Sequence, residues 1–501
     1  MRGWMQWGQV WAARLGAAWL AALALTSCGG GGGDPPVSAP AQPLQASPGP
    51  ARIEPYERVT PLAASRSAPA QAFSSLLPSV VVQLGPAPPE FVQAKATAME
   101  RPAQAAIARQ IGAARAVGAL ATPAETARVL AWQATASGGL AAAASFRSEG
   151  ATGLRLGLEV ARLPPSAQVR VRPAGSTTVE TVRGDEILAT LARNWAAGDD
   201  SRAGRTYWLP AVAGDALTLE IELPPGVDAT QVEVAIPRLF HLWWTHEAVA
   251  RADDLKIGES GSCNLDITCS PEYAFESRAI ARMEYVRDGG AFLCTGTLMA
   301  DTAASGTPYF LGANHCVGDQ TTASTLSTYW FYRSATCNST TLDPAATRVA
   351  GGATLLYASA VTDTSFMLLR GSPPAGAVHA GSLLSPPDLG TALAGLHHPA
   401  GDLLKLSLGA NAAYARCEGT RCTGDGVDAS NFLVLRWTRG TTESGSSGSP
   451  VFASVGARRY VVGQLFAGSA SCTRPDASDY YGRFDQAYPS LRTWLGTPTG
   501  D

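Results

Sequence analysis

A serine, a histidine and an aspartate occur in this chain in settings that suit one reaction, nucleophilic attack on a carbonyl. The run Glu443-Ser444-Gly445-Ser446-Ser447-Gly448-Ser449-Pro450-Val451-Phe452 sets serines among glycines. Flexible glycines let the backbone fold tightly round Ser447, so that the N–H groups of Gly445 and Ser447 converge where an oxyanion would form. Such a run alone is a weak signal, because most are ordinary loops. A serine nucleophile needs a base, and of the six histidines His315 closes the apolar run Tyr309-Phe310-Leu311-Gly312-Ala313-Asn314 and precedes Cys316, which can pin it. The acid is Asp363, placed directly before the run Thr364-Ser365-Phe366-Met367-Leu368-Leu369, where an unpaired charge would be costly and an imidazole would resolve the cost. The expected roles are Ser447 as nucleophile, His315 as general base and Asp363 as the group that orients the ring.

The elements that must hold these groups are short strands. From Gly258 onward the chain carries many short apolar runs, eight cysteines and a closing amphipathic segment, Tyr488 to Leu495, that predicts a terminal helix. This is the pattern of a disulfide-stapled all-β domain. Upstream, Leu154 to Val160, Gln168 to Arg172 and Leu217 to Leu223 alternate with period two between Pro/Gly turns and predict antiparallel strands, together a small β-sandwich. The Ala-rich, Arg-spaced stretch from Ala94 to Val117 has helical propensity. His241 and His246, five apart beside tryptophans, are read as packing or surface residues.

With 501 residues the chain exceeds one ordinary domain. Residues 1–28 combine Arg2, an apolar run from Leu15 to Leu25 and Leu25-Thr26-Ser27-Cys28, an export signal ending in a lipobox with Cys28 as the acylated residue. Residues 29–55, opening with five glycines and rich in Pro, Ala and Ser, are expected to be a flexible tether. Residues 56–256 read as a non-catalytic prodomain, mainly β from about residue 128, and 257–501 as the catalytic domain. A net charge of −3 gives no broad basic surface for nucleic acid, and membrane attachment is expected only through Cys28. Beside Cys28, the nine cysteines leave an even set, as disulfides in an exported chain require. No Cys-x-x-Cys or His-x-x-x-His spacing supplies four close ligands, so neither metal nor cofactor is expected.

The chain order His315, Asp363, Ser447 is that of chymotrypsin and not of subtilisins or α/β-hydrolases. Gly445 to Pro450, Asn314-His315-Cys316 and Asp363 together resemble the trypsin-like superfamily. More narrowly, the segment from Gly258 to Leu495 resembles the bacterial lysyl endopeptidases. The blocks that carry this are Gly261-Ser262-Cys263-Asn264-Leu265-Asp266, Cys294-Thr295-Gly296-Thr297-Leu298, Tyr329-Trp330-Phe331-Tyr332, His397-His398-Pro399, Gly463-Gln464-Leu465 and Ser478-Asp479-Tyr480-Tyr481-Gly482-Arg483, in the family's order.

The resemblance implies a chymotrypsin-like double β-barrel with a C-terminal helix, and a monomeric enzyme that acts on protein or peptide substrates. It also implies disulfides Cys263 to Cys472, Cys269 to Cys337 and Cys294 to Cys316, leaving Cys417 and Cys422 to close a small loop. The trypsin position for a pocket acid, six residues before the nucleophile, is Thr441. By resemblance Asp479 is the lysine-recognising acid, with Phe466 and Gly468 as further substrate-binding residues. Where the family has a histidine followed by glycines, this chain has Phe466-Ala467-Gly468. His397 and His398 match a family block without a catalytic role and are read as structural or subsite residues. Of 38 basic residues only Lys95, Lys256 and Lys405 are lysines, so a lysine-specific protease would find few sites in itself. Lys256, just ahead of the catalytic domain, is the expected self-processing site. A trypsin-like protease with arginine or other specificity, or an inactive protease domain on a lipid-anchored binding protein, are the alternatives. The expected location is the bacterial outer membrane or cell surface, with possible release of the catalytic domain.

Overall fold

Alternation along Ala216–Leu223 decides how the N-terminal half packs. Leu217, Leu219, Ile221 and Leu223 are buried on one face, while Glu220, on the other, pairs with Arg170 at 2.8 Å. A computed structural model describes residues 50–58, 77–100, 108–243, 258–419 and 421–498. The signal segment with Cys28, most of the tether, His246 and Lys256 lie outside them.

In the N-terminal half, Leu140–Ser148 pairs in parallel with Val80–Leu84 and antiparallel with Ala216–Leu223, which is followed in the sheet by Gln168–Pro173 and Glu180–Arg183. A second layer joins Gly153–Arg162, Glu233–Leu242 and Arg109–Ala116. Phe146, Leu154, Leu156, Val169, Leu219 and Leu239 share the core between the layers, so the architecture is the expected sandwich.

The stretch from Ala94 to Val117 is not one helix. A helix spans Pro89–Glu100, and Arg109–Ala116 is a strand bonded on both sides. Its small residues serve close approach: a Cβ on Gly112 would sit 2.5 Å from a Leu242 methyl and 2.9 Å from the His241 carbonyl oxygen. Pairing with two neighbours outweighs alanine's helical propensity here. The end of the expected tether also differs. Arg52–Ile53 pairs with Gly381–Leu383, and Ile53 is buried in the core of the catalytic half. Glu54 adds an ion pair to Arg458 and accepts from the Tyr460 hydroxyl, at 2.6 and 2.8 Å.

The catalytic half contains two groups of strands. In the first, Ala353–Ser359, Thr364–Leu369, Tyr309–Ala313, Gly290–Met299, Ile280–Arg287 and Ser327–Trp330 follow one another antiparallel. In the second, Arg458–Gly468, Pro450–Val455, Ala392–His397, Lys405–Glu418, Phe432–Arg439 and Ser478–Arg483 close on themselves, because the last strand pairs back to the first. Leu311 and Phe366 from the first group meet Leu396, Leu406, Phe452 and Val461 from the second in one core, with Phe484 and Leu491 of the terminal helix Phe484–Leu495. This is the chymotrypsin-like double barrel. Arg109–Ala116 pairs with Gly290–Met299, so the sandwich sheet runs on into the first barrel.

Four disulfides join Cys263 to Cys472, Cys269 to Cys337, Cys294 to Cys316 and Cys417 to Cys422. These are the pairs that the resemblance implies. The longest ties the start of the catalytic half to its end.

Candidate active site

His315 leaves the end of Tyr309–Ala313 and is held from three directions. Cys316 is bridged to Cys294 on the adjacent strand, the Arg287 guanidinium bonds the His315 and Cys316 carbonyl oxygens, and the His315 N–H donates to Asp363 Oδ1 at 2.9 Å. The other carboxylate oxygen of Asp363 lies 2.7 Å from His315 Nδ1. A carboxylate accepts only, so Nδ1 carries a proton, and in the neutral ring Nε2 is the nitrogen left with a lone pair to act as a base. Asp363 is buried and has φ 50°, a left-handed backbone that Asp tolerates better than most residues. Its own carbonyl accepts the N–H of Asn314 at 2.9 Å.

Ser447 lies on the loop before Pro450–Val455. Its carbonyl accepts the Thr295 N–H at 2.8 Å, which sets the loop against the strand bridged to Cys316. Gly448 packs on that strand's neighbour, where a Cβ would meet the Ala313 nitrogen at 2.8 Å. Gly445 has φ 94°, and a Cβ there would press on the Gly401 nitrogen and the His398 carbonyl oxygen, both at 3.0 Å. Both glycines are therefore needed. The Ser447 hydroxyl is fully buried and has no hydrogen-bond partner among the described residues, so the structure brings His315 to Asp363 but forms no bond from His315 to Ser447. Catalytic hydrogen bonds are often long before substrate binds and tighten in the complex. Cys294, His315 and Cys316 cluster, but the disulfide takes both sulfurs and leaves no thiolate for a metal.

Asp479, on Ser478–Arg483, is fully buried and faces the same loop. Its Oδ2 accepts from the Thr442 hydroxyl and the Trp437 indole, each at 2.6 Å, and its Oδ1 from the Ala470 N–H at 3.2 Å. Burial pushes its pKa up to about 6 against these three donors. Thr442 follows Thr441, the position a trypsin gives to its pocket acid. The carboxylate thus bonds the residue next to that position. Gly468 pairs with Asp479 across the sheet. Phe466 stands with its ring centroid 6.2 Å from the His315 ring and 4.9 Å from that of Phe432, so it walls the base.

Two groups, Arg109 and Glu443, escaped the sequence reading. Arg109, from the N-terminal half, approaches the Ser444 hydroxyl at 3.5 Å and Glu259 at 3.3 Å. Glu443 accepts the Gly261 N–H and the Asn264 amide, at 2.8 and 2.9 Å, and burial raises its pKa. His397, expected to be a structural or subsite residue, bonds the Ser446 hydroxyl at 2.8 Å. His398 is buried beside it. Arg109 and His397 are strand-end residues and Glu443 is on a loop, positions where sequence gives no sign of a partner.

The model of the lysyl endopeptidase C-terminal domain matches residues 257–482, and that of the lysyl endopeptidase N-terminal domain matches residues 83–243. A lysyl endopeptidase of Pseudomonas aeruginosa is 31% identical over 359 residues, covering 68% of this chain and 76% of the relative. Among solved structures, a protease from M. tuberculosis in its active form is 13% identical over 46% of this chain and 87% of its own, with a TM-score of 0.32. A thermostable serine protease from an extremophilic microorganism is 16% identical over 44% of this chain and 99% of its own, with a TM-score of 0.29.

Proposed function

The chain belongs to the lysyl endopeptidase family and is a serine endopeptidase; on that premise we propose that it is exported and cuts proteins after lysine through an acyl-enzyme. Ser447 attacks the scissile carbonyl, and His315 Nε2 takes the proton and returns it to the leaving amine. Asp363 holds the ring in its Nδ1-protonated form, while the Gly445 and Ser447 N–H groups receive the oxyanion. Water then releases the acyl group by the same steps. The observation that carries the lysine preference is the fully buried Asp479 carboxylate bonded to Thr442 of the nucleophile loop. A desolvated carboxylate has a strong preference for a cation, and an ammonium offers one with a single small head.

The N-terminal half is a prodomain that covers the site until the chain is cut after Lys256. This reading is supported by the strand Arg109–Ala116. Arg109 is in register with Leu293, next to bridged Cys294 and two residues from Thr295, which holds Ser447. An extended segment thus lies along the approach to the nucleophile, as an added β-strand does in peptide recognition. Charged side chains cross the same interface: buried Arg155 donates to the Thr325 carbonyl at 2.7 Å, and partly exposed Arg348 meets Glu180 at 2.6 Å. Acylation at Cys28 anchors the exported chain to the membrane. No helix among the described residues is long and apolar enough to cross one.

The test is mass spectrometry of an unfolded protein digested with the purified enzyme, beside a Ser447→Ala control. Cuts after lysine that vanish in the control are expected. Cuts after arginine would move the specificity away from Asp479, and no cuts by processed, disulfide-bonded enzyme would favour a binding protein.

A further inference from the structure

The residue immediately before the nucleophile is tied to a histidine that the acyl-transfer scheme does not use. The Ser446 hydroxyl lies 2.8 Å from His397 Nδ1 and also accepts the Glu443 N–H at 3.2 Å. On the far side of the same ring, His397 Nε2 lies 2.9 Å from the Ser407 hydroxyl, which donates to the Thr441 carbonyl at 2.8 Å. Counting donors fixes the direction of every bond. Ser407 has one proton and gives it to Thr441, so it accepts from Nε2–H. Nδ1 is then the bare nitrogen, and Ser446 donates to it.

The chain of bonds is closed with one proton on the ring and would lose a donor–acceptor match with two. His397 is fully buried, and burial holds its pKa down at about 3, which favours the neutral ring. The two serines it joins contact opposite ends of one loop. Ser446 adjoins Ser447, and Thr441 is six residues upstream, beside the Thr442 that bonds Asp479. Gly445, whose N–H faces the oxyanion position in the scheme above, lies between those anchors.

We propose that His397 is a positioning residue for acyl transfer: through Ser446 and Ser407 it fixes both ends of the loop from Thr441 to Ser447 and so holds the oxyanion donors in place. The proposal rests on Ser447 being the nucleophile. It assigns the histidine an effect on the transition state, because the donors matter most when charge develops on the oxygen. Packing alone would predict equal losses in every state.

The experiment uses processed enzyme carrying Ser446→Ala, Ser446→Thr or His397→Gln, each checked for native circular dichroism. Three quantities are read: kcat and KM on a lysyl peptide, the affinity of a peptide boronic acid that mimics the tetrahedral state, and inhibition by a simple alkylamine that fills only the lysine pocket. Ser446→Ala and His397→Gln should lower kcat roughly 10- to 100-fold, somewhat less than loss of a whole oxyanion donor. KM and alkylamine inhibition should stay within about twofold, boronate affinity should fall with kcat, and Ser446→Thr should recover most of the loss. If His397→Gln fails to fold, the pair at Ser446 decides alone. Wild-type kcat and boronate affinity in Ser446→Ala, or a loss shared equally by alkylamine inhibition, would overturn the proposal. Activity retained by Ser447→Ala would instead overturn the nucleophile assignment beneath it.

Discussion

Gly468 and Asp479 face each other across two strands so closely that a Cβ on Gly468 would lie 1.8 Å from the Asp479 carboxylate oxygen. Glycine is required there for space, since the backbone needs no left-handed angle. Gly468→Ala must therefore push the carboxylate off its Thr442 and Trp437 donors or move the strand. Against lysyl peptides kcat/KM should fall at least 100-fold, because a buried charge pair loses its geometry. Asp479→Asn should do the same while leaving hydrolysis of a small unspecific ester within a few-fold. A peptide panel read beside an ester assay checks both. An Asp479→Asn enzyme that still prefers lysine would remove Asp479 from the pocket.

Burial also makes Asp479 a pH-dependent cost in the empty enzyme. Its pKa rises from 3.8 to about 6 on folding, so the folded chain binds this proton more tightly than the unfolded chain. The ionised form therefore costs stability. The cost is absent below about pH 4, grows between pH 4 and 6 and is complete above, on the order of 3 kcal/mol for a two-unit shift. Asparagine cannot ionise. The stability of Asp479→Asn minus that of the parent should rise with pH through this window and be flat on either side. Urea denaturation without substrate at a series of pH values measures it, and a difference independent of pH would contradict the assignment.

The pairing of His315 with Asp363 was legible because chemistry and chain order are local signals. Asp363 stands before an apolar run and His315 beside a cysteine, so each could be picked by its immediate neighbours. Asp479 needed a whole block, since a lone aspartate in a polar loop is usually a turn residue. The strand Arg109–Ala116 was hidden because its alanines favour a helix in isolation, and only the two strands that flank it in space show why they are small. His397 and Ser446 are 49 residues apart, and neither segment carries a mark of the other. What sequence patterns convey is which face is apolar. Which polar group on that face meets which partner is decided by tertiary approach.

The bridge from Cys294 to Cys316 closes a loop with a sequence separation of 22 and anchors the histidine next to it. Replacing both cysteines by alanine should lower stability by about 2–4 kcal/mol. It should also lower kcat, because His315 then depends on Asp363 and Arg287 alone for its place. Urea midpoints and peptide kinetics in the same samples separate the two effects. A stability loss with unchanged kcat would show that those two residues suffice.

Arg109 offers the direct test of the prodomain as a cover. Its guanidinium is largely buried, which lowers its pKa, and it lies between Glu259 and the Ser444 hydroxyl while facing the charge of Glu443. Arg109→Ala removes the strand's one charged grip on the nucleophile loop and leaves Glu443 and Glu259 without that countercharge. Loss of such a contact costs about 1–3 kcal/mol, so the uncovered population should rise roughly 5- to 100-fold. The chain is kept whole with Lys256→Ala, and the rate at which a fluorophosphonate labels Ser447 is compared with and without Arg109→Ala. Faster labelling at unchanged urea stability of the catalytic half is expected. Equal rates would mean that the strand lies beside the site without controlling entry, and the inhibitory role would then have to come from another part of the N-terminal half.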